Sequence, residues 1–542
     1  MLAKLLLQTI SALTASLIFT TLCLGQSTTR ISVDSNGAQA NSTSWFASVS
    51  EGGEFIAFQS GATNLVPGDT NGMSDIFVKN TITGVTEQID VDVNGVQSNH
   101  NGWEPAITPD GRYVAYQSGA TNIVPGDTNW VIDIYVYDRQ TGNTEMVSVG
   151  SMGVGGNAHS FHPTISDNGT KIAFMSQATN LVAGDTNGAN DIFVHDRRSG
   201  ITTRVSVDSS GVQGNSTSDH GSISGDGRFV AYHSSATNLV TGDSNGVIDC
   251  FTHDTASGFT TRTSEGTLGE AGIHHSKDPV ISADGRYVAF ESFSSNFIPG
   301  DTISGDIFVK DRWTGLIERV SKHSNGYPTS DDCYDAAISN DGRYVTFWTL
   351  SGYLLPNDTN NKRDVFVHDR TTGVTERVSV KSDGSQAGSG YCVEPDISPD
   401  GRYATFRADG YLTPGDSNGF DDLFLHDRWS GTGTNSIYLV APSSASVGST
   451  IDLSWQTTRG GSQYWVAYAL NQGGSVVNGH SFDLGLPTTI LSSGVHTTNG
   501  MGSHTTIPVP AIAAGLTISF EIAALDAAGV LYDSNPRAVT IN

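Results

Sequence analysis

The chain has 542 residues, 62 of them glycine, and carries 55 Asp plus Glu against 28 Lys plus Arg, a formal net charge of −27. Phosphate contacts need a basic surface, so this balance argues against nucleic acid or an anionic membrane as partner and favours cations, or neutral and basic ligands. No run shows helical periodicity, and the glycine content suits an all-β protein.

Residues 1–25 hold a single Lys4, an apolar stretch from Leu5 to Leu24 and a small residue, Gly25, before Gln26. This reads as a secretory signal cleaved near Gly25. A membrane anchor is the alternative, weakened as a span by Gln8, Thr9 and Ser11. Thr20-Thr21-Leu22 before Cys23 is a poor lipoprotein signal, and no later run approaches membrane length. The mature chain is expected to be secreted, periplasmic or on the cell surface, without a span.

From residue 28 to 431 one unit is written seven times. Its marker aspartate, in the fragment GD[TS]NG, recurs at Asp69, Asp127, Asp185, Asp243, Asp301, Asp358 and Asp416, in steps of 58 residues with one of 57. A period of this size marks a propeller, solenoid or array. In the third copy four strands are expected, at 162–166, 171–176, 191–196 and 203–207, rich in β-branched and aromatic residues. Asp-Gly and Asn-Gly pairs such as Asp110-Gly111 and Asn168-Gly169 suit hairpin turns, because glycine accepts positive φ. Four antiparallel strands per unit make a propeller blade. The seventh copy lacks its fourth strand, while residues 28–37 (TTRISVDSNG) match 202–211 (TTRVSVDSSG). The N-terminus is therefore expected to supply the outermost strand of blade seven through Arg30–Val33. The fold class is all-β, a seven-bladed propeller closed by its N-terminal strand.

The pattern ISADGRYVAF at 281–290 followed by DIFVKD at 306–311 resembles the TolB-like, WD-like family of bacterial propeller repeats. The resemblance covers residues 28 to 431. It implies exported propellers that mostly bind rather than catalyse, although related blades serve several enzymes, and it names no ligand.

Cys333 and Cys392 hold equivalent places near the hub of blades six and seven. An exported protein would oxidise them if they met, so a disulfide is one expectation and two unpaired residues the other. Cys250 reads as a buried core thiol. Beyond Gly431 a short Gly-Thr linker leads into residues 436–542, whose short strands and turns suit an immunoglobulin-like sandwich without a cysteine pair. It would serve as an attachment module or a spacer.

Two constellations carry the functional expectations. The loop between the second and third strands has the form Asp-x-Asn-Gly-x-x-Asp in blade one (Asp69, Asn71, Asp75), blade three (Asp185, Asn187, Asp191), blade four (Asp243, Asn245, Asp249) and blade seven (Asp416, Asn418, Asp422). Oxygen ligands on a tight glycine bend suit calcium. Equally, the side chains would hold a turn by bonding to the backbone. The second constellation is read across copies: Phe46, Glu104, His162, His220, Asp278, Asp335 and Glu394 share one position at the start of the innermost strand. These residues are expected to ring one mouth of the channel, on the same face as the Asp-Asn-Gly loops, with His100, His159, His274, His275, Asp331 and Asp332 on loops beside them. Histidines flanked by carboxylates are plausible ligands for a divalent transition metal or another ligand. A polar, water-filled mouth is the plainer reading.

Arginines beside Asp138, Asp196, Asp311, Asp369 and Asp427 read as ion pairs within or between blades. The second-strand aromatics from Phe58 to Phe406 read as core. The chain has no nucleophile elbow, zinc-protease helix, phosphate loop or dinucleotide fingerprint. The leading expectation is therefore a non-enzymatic binding or scaffold propeller, calcium as its one candidate cofactor, engaging a protein or saccharide on its loop-rich face. The alternative is a metal-dependent carbohydrate-active lyase or hydrolase, with metal on His162 and His220 and Glu104 or Asp278 as base.

Overall fold

The computed structural model describes residues 26–429, except 300–303, 330, 351, 353, 356–357 and 389, together with strands between 437 and 541. The expected signal and the linker at 431–434 lie outside the described residues. Among those described, no helix is long and apolar enough to cross a membrane. Gln26–Arg428 forms one compact unit, and Trp429–Asn542 belongs to another. In the latter, Thr517–Leu525 pairs with Gln463–Ala469 and with Arg537–Ile541, and Thr450–Thr457 pairs with Ile437–Val440 and Gly500–Pro508.

Gln26–Arg428 is a seven-bladed propeller of four-stranded antiparallel sheets. In blade three the strands are Ser160–Ile165, Lys171–Ser176, Asp191–Asp196 and Ile201–Arg204. The two middle strands fall where the sequence puts them. The first begins two residues earlier than expected, so His162 lies inside it. The fourth also comes earlier, because Ser206 leaves the ladder: its hydroxyl donates to Asp191 at 2.5 Å and accepts the Ile192 N–H at 3.1 Å. The first strand of every blade touches the first strands of both neighbours, including Cys392–Ile397 of blade seven against Ser44–Val49 of blade one. These seven strands therefore surround the axis.

Ser27–Arg30 lies antiparallel to Asp422–Asp427, with Arg30 opposite Phe424. The pairing is three residues earlier than Arg30–Val33, for the same reason as in blade three: Ser32 donates to Asp422 at 2.6 Å. Thr28 adds a buried contact to His426 at 2.9 Å.

The apolar cores sit between blades. Ile76 and Val78 of blade one pack with Val114, Tyr116 and Tyr135 of blade two, and Ile31 joins residues of blades one and seven. The second-strand aromatics Phe58, Tyr116, Phe174, Tyr232, Phe290, Phe347 and Phe406 are buried, each stacked on an aromatic of its own third strand. Two sets of arginines add to them. Arg112, Arg228, Arg286, Arg343 and Arg402 form two-pronged pairs with third-strand aspartates of the same blade, as Arg343 does with Asp369 at 2.8 and 2.7 Å. The other set reaches backward: Arg370 covers the ring of Tyr287 at 4.1 Å and binds Glu318 at 2.7 Å, both in the preceding blade. Stacking of this kind contributes about 0.5–2 kcal/mol per contact.

Cys333 and Cys392 are free and buried, so the expected disulfide does not form. Both start a first strand, Cys333 opposite Thr349 and Cys392 opposite Ala408. Burial pushes the Cys333 thiol up to about 12. Cys250 is a buried core thiol as expected.

Candidate functional site

Strand register decides which loops share a face. In blade three Ser160 pairs with Ser176, which pairs with Asp191. The long loop between the second and third strands therefore emerges at the same end as the entry to the first strand. The short Asp-Gly and Thr-Gly turns lie at the opposite end.

At that entry every blade carries the same irregularity. Phe161 pairs with Met175 and Thr164 with Ala173, so His162 and Pro163 together stand opposite Phe174. The same shift recurs in the other six blades. Its first residue adopts a left-handed backbone, with φ between 46° and 53° at Phe46, Glu104, His162, His220, Asp278, Asp335 and Glu394. None of these is glycine, and such a conformation costs on the order of 1–3 kcal/mol at each site. A bulge of this kind re-aims a side chain out of the pleat. The seven positions singled out in the sequence are thus the seven bulge residues.

The bulge frees a backbone N–H; in four blades the preceding blade accepts it, whereas His220 donates to Asp219 Oδ1 of its own strand at 2.8 Å. His162 donates to Gln117 Oε1 at 2.8 Å, Asp278 to His233 Nδ1 at 3.2 Å and Asp335 to Glu291 Oε1 at 2.8 Å. Phe46 donates to Glu394 Oε2 at 3.3 Å, across the junction of blades one and seven. Sequence reasoning missed Gln117, His233 and Glu291 as acceptors. These three share the fifth position of the second strand, which reads Gln59, Gln117, Met175, His233, Glu291, Trp348 and Arg407. That column varies as much as the ring itself, and comparing copies there would have exposed it.

The ring divides into an acidic-histidine half and a half of fixed pairs. His162 Nδ1 meets Glu104 Oε2 at 2.7 Å, and the His162 and His220 rings stack with centroids 4.2 Å apart. Asp219 Oδ1 lies 3.4 Å from His220 Nδ1 and 4.0 Å from His162 Nε2. Asp278 Oδ1 is 3.5 Å from both His220 Nδ1 and His233 Nδ1. Burial opposes the charged form of His220, yet Asp219 and Asp278 outweigh it and raise its pKa. Burial, with the nearby His220 and Lys277 adding to it, takes His233 down to about 4. In the other half, Lys277 bridges Asp278 at 3.2 Å and Glu291 at 3.1 Å, Trp348 Nε1 donates to Asp335 at 2.6 Å, and Arg407 binds Glu394 at 2.6 Å. Trp348 stacks on Tyr334 with centroids 4.6 Å apart.

Three of the six loop residues expected beside the ring serve as clamps. His159 and His275 accept the N–H of Ile132 and Ile248 at 2.9 Å, and Asp332 accepts that of Gly305 at 2.7 Å. Each ties its loop to the preceding blade.

The Asp-Asn-Gly loops bring their candidate ligands together, but with protein partners. Asn187 donates to Asp191 at 2.9 Å and to the Gly214 carbonyl at 3.0 Å, while its own oxygen accepts the Ala189 N–H at 3.1 Å. Asn71, Asn245 and Asn418 repeat the backbone contacts. Between the two carboxylates sits a guanidinium: Arg204 with Asp185 and Asp191, Arg262 with Asp243 and Asp249, Arg30 with Asp416 and Asp422. Arg377 does the same in blade six, and in blade two the Tyr135 hydroxyl bonds Asp127. Blade one differs. Gln88 stands in the arginine's place, Asp90 replaces a serine, and Asp69, 7% exposed, has no well-formed hydrogen bond on either oxygen. Burial, with Asp75 adding to it, raises Asp69 to about 6, and Asp90 lies well above its ordinary value.

No protein-family model matches the chain, and no curated protein matches it in sequence. Among solved structures it is similar to a protein described as a TolB from Agrobacterium tumefaciens, at 18% identity and a TM-score of 0.34, over 56% of this chain and 87% of that one. It is similar also to the WD40 repeats of RRP9, at 8% identity and a TM-score of 0.39, over 74% and 97%. A third is Zg3597, a family 117 glycoside hydrolase of the marine bacterium Zobellia galactanivorans, at 10% identity and a TM-score of 0.21, over 60% and 84%. At these values no function passes from them to this chain.

Proposed function

We propose that this is an exported binding propeller that takes a saccharide at the channel mouth of its loop-rich face. One observation carries the reading: a strained bulge recurs in all seven blades, and the side chain it presents differs around the ring. Aromatic and acidic groups share the ring. Phe46 is 40% exposed, and Trp348 stacks beside the Asp335 carboxylate it bonds. Flat apolar faces next to fixed hydrogen-bond acceptors suit the carbon face and hydroxyls of a sugar ring. Export follows from the leader pattern in residues 1–25, and the N-terminal strand is taken to hold blade seven closed. The C-terminal unit is read as an immunoglobulin-like spacer or attachment module. The Asp-Asn-Gly loops are read as turns, with arginine rather than calcium between their carboxylates in blades three, four, six and seven.

Binding is favoured over catalysis because the ring acids have fixed partners. Glu291, which burial raises to about 7, is 1% exposed and accepts the Asp335 N–H, so it cannot reach a substrate. The test is retention of the full chain on a panel of neutral and amino-sugar polysaccharides, with product release followed in parallel. Retention that is lost in Phe46→Ala and Trp348→Ala, without release of sugar fragments, is expected. Retention unchanged in both variants, or turnover, overturns the reading.

A further inference from the structure

We propose that His162, Asp219 and His220 bind one divalent transition-metal ion at the channel mouth, with Glu104 as the positioning residue of His162. The inference deepens the reading of the mouth as the binding site and rests on it.

Each residue offers one ligand atom, and the three atoms lie within 4.8 Å of one another. A zinc-like ion bound at about 2.0–2.1 Å separates tetrahedral ligands by about 3.4 Å. Asp219 Oδ1 is already 3.4 Å from His220 Nδ1 and 4.0 Å from His162 Nε2. Small side-chain rotations would close the set. His162 is prepared for this role. Its Nδ1 is engaged by Glu104 at 2.7 Å, which fixes the ring and leaves Nε2 facing Asp219. A carboxylate behind a histidine is the usual outer support of a metal ligand.

A second trio, His220, His233 and Asp278, also has its ligand atoms within 4.8 Å of one another. There, however, His233 Nδ1 has a single lone pair and already accepts the Asp278 N–H at 3.2 Å. In the first trio Asp219 Oδ1 also accepts a bulge N–H, that of His220 at 2.8 Å, but a carboxylate oxygen keeps a second lone pair for an ion, so the first trio is the better site. Stacked rings 4.2 Å apart would repel as two imidazolium ions, whereas one metal ion can serve both. The side chains of His162 and His220 remain 29% and 43% exposed, so an ion can enter from the mouth. Three protein ligands leave a coordination position for a ligand oxygen. Imidazole with carboxylate selects zinc, cobalt, nickel or copper over calcium.

The test titrates the full chain with Co2+ and then displaces it with Zn2+. Expected are one Co2+ per chain with visible absorption of low-symmetry cobalt, its loss in His220→Ala, and affinity about 10–100-fold weaker in Glu104→Gln. Absence of the absorption overturns the proposal, as does an unchanged titration in the His162→Ala/His220→Ala double variant. Should His220→Ala fail to fold, unchanged affinity in Glu104→Gln overturns it instead. Polysaccharide retention in the presence of chelator separates the two readings. If retention persists where no Co2+ site exists, only the ion is wrong; if retention is also absent, the mouth reading falls too.

Discussion

Arg204 Nη1 lies 3.1 Å from Asp185 Oδ1 inside blade three, and blade one has no counterpart of this contact. The seven copies thus serve as controls for one another. In blade one Gln88 takes the arginine's place, and Asp69, Asp75 and Asp90 each keep a buried oxygen without a well-formed hydrogen bond.

Gln88→Arg is therefore expected to stabilise the propeller, by about 1–2 kcal/mol near neutral pH. The folded-state value of Asp69, about 6, lies above its ordinary 3.8. Such a group stabilises the fold below its ordinary value, and that contribution is lost as pH rises through 6. The arginine should remove the loss, so the gain in Tm should be larger at pH 7.5 than at pH 4. A gain independent of pH would show that Asp69 is not the group relieved.

Phe46→Gly is expected to lower Tm less than Phe46→Ala does, while both abolish retention on polysaccharide. The two variants lose the same half-buried ring, but a φ of 46° suits glycine and not alanine. Relief of the left-handed strain is worth about 1 kcal/mol. A Tm for the glycine variant at or below that of the alanine variant would mean that the ring position is not under strain.

Gly169→Ala should be among the most damaging substitutions, by about 2–4 kcal/mol. Gly169 has φ of 68°, and a Cβ there would run into the Tyr113 ring of the preceding blade. Gly184→Ala, at φ of 79° with nothing within 4 Å of its Cβ, should lose only about 1 kcal/mol, the backbone part alone. Equal denaturation midpoints for the two would remove the interblade clash from the account.

Deleting residues 26–33 tests whether the N-terminal strand holds the ring. The pairing with Asp422–Asp427 and the buried Ser32–Asp422 bond would both be lost. Hydrogen exchange is expected to accelerate in Asp422–Asp427 first, and Tm to fall. Unchanged protection there would leave closure to contacts between the first strands of blades one and seven.

Cys250, Cys333 and Cys392 are expected to resist a thiol reagent until the propeller unfolds, and reductant should leave its Tm unchanged. Cys250, Cys333 and Cys392 are all buried and free. A Tm that drops on reduction would bring back the disulfide between Cys333 and Cys392.

Blade number, the two middle strands and the tight turns are determined by the sequence alone. They depend on local chemistry repeated at a fixed period: β-branched runs, Asp-Gly pairs, an aromatic at the same place in each copy. The ring positions can also be picked out, since reading across copies sets Phe46, Glu104, His162 and His220 in one column of the repeat. Their left-handed backbone cannot, because no glycine marks it. Nor can the acceptors of their backbone N–H groups, which arise only when blades meet: Gln117 reaches His162 across 45 residues, a spacing that carries no signal along a single chain. Glu104, by contrast, lies one repeat period of 58 residues from His162, so its place in the ring is legible. Tertiary structure also decided the two cysteines and the loop aspartates. Each thiol is buried at the start of its own blade's first strand, and packing sets a guanidinium between carboxylates that look, in sequence, like ligands for an ion.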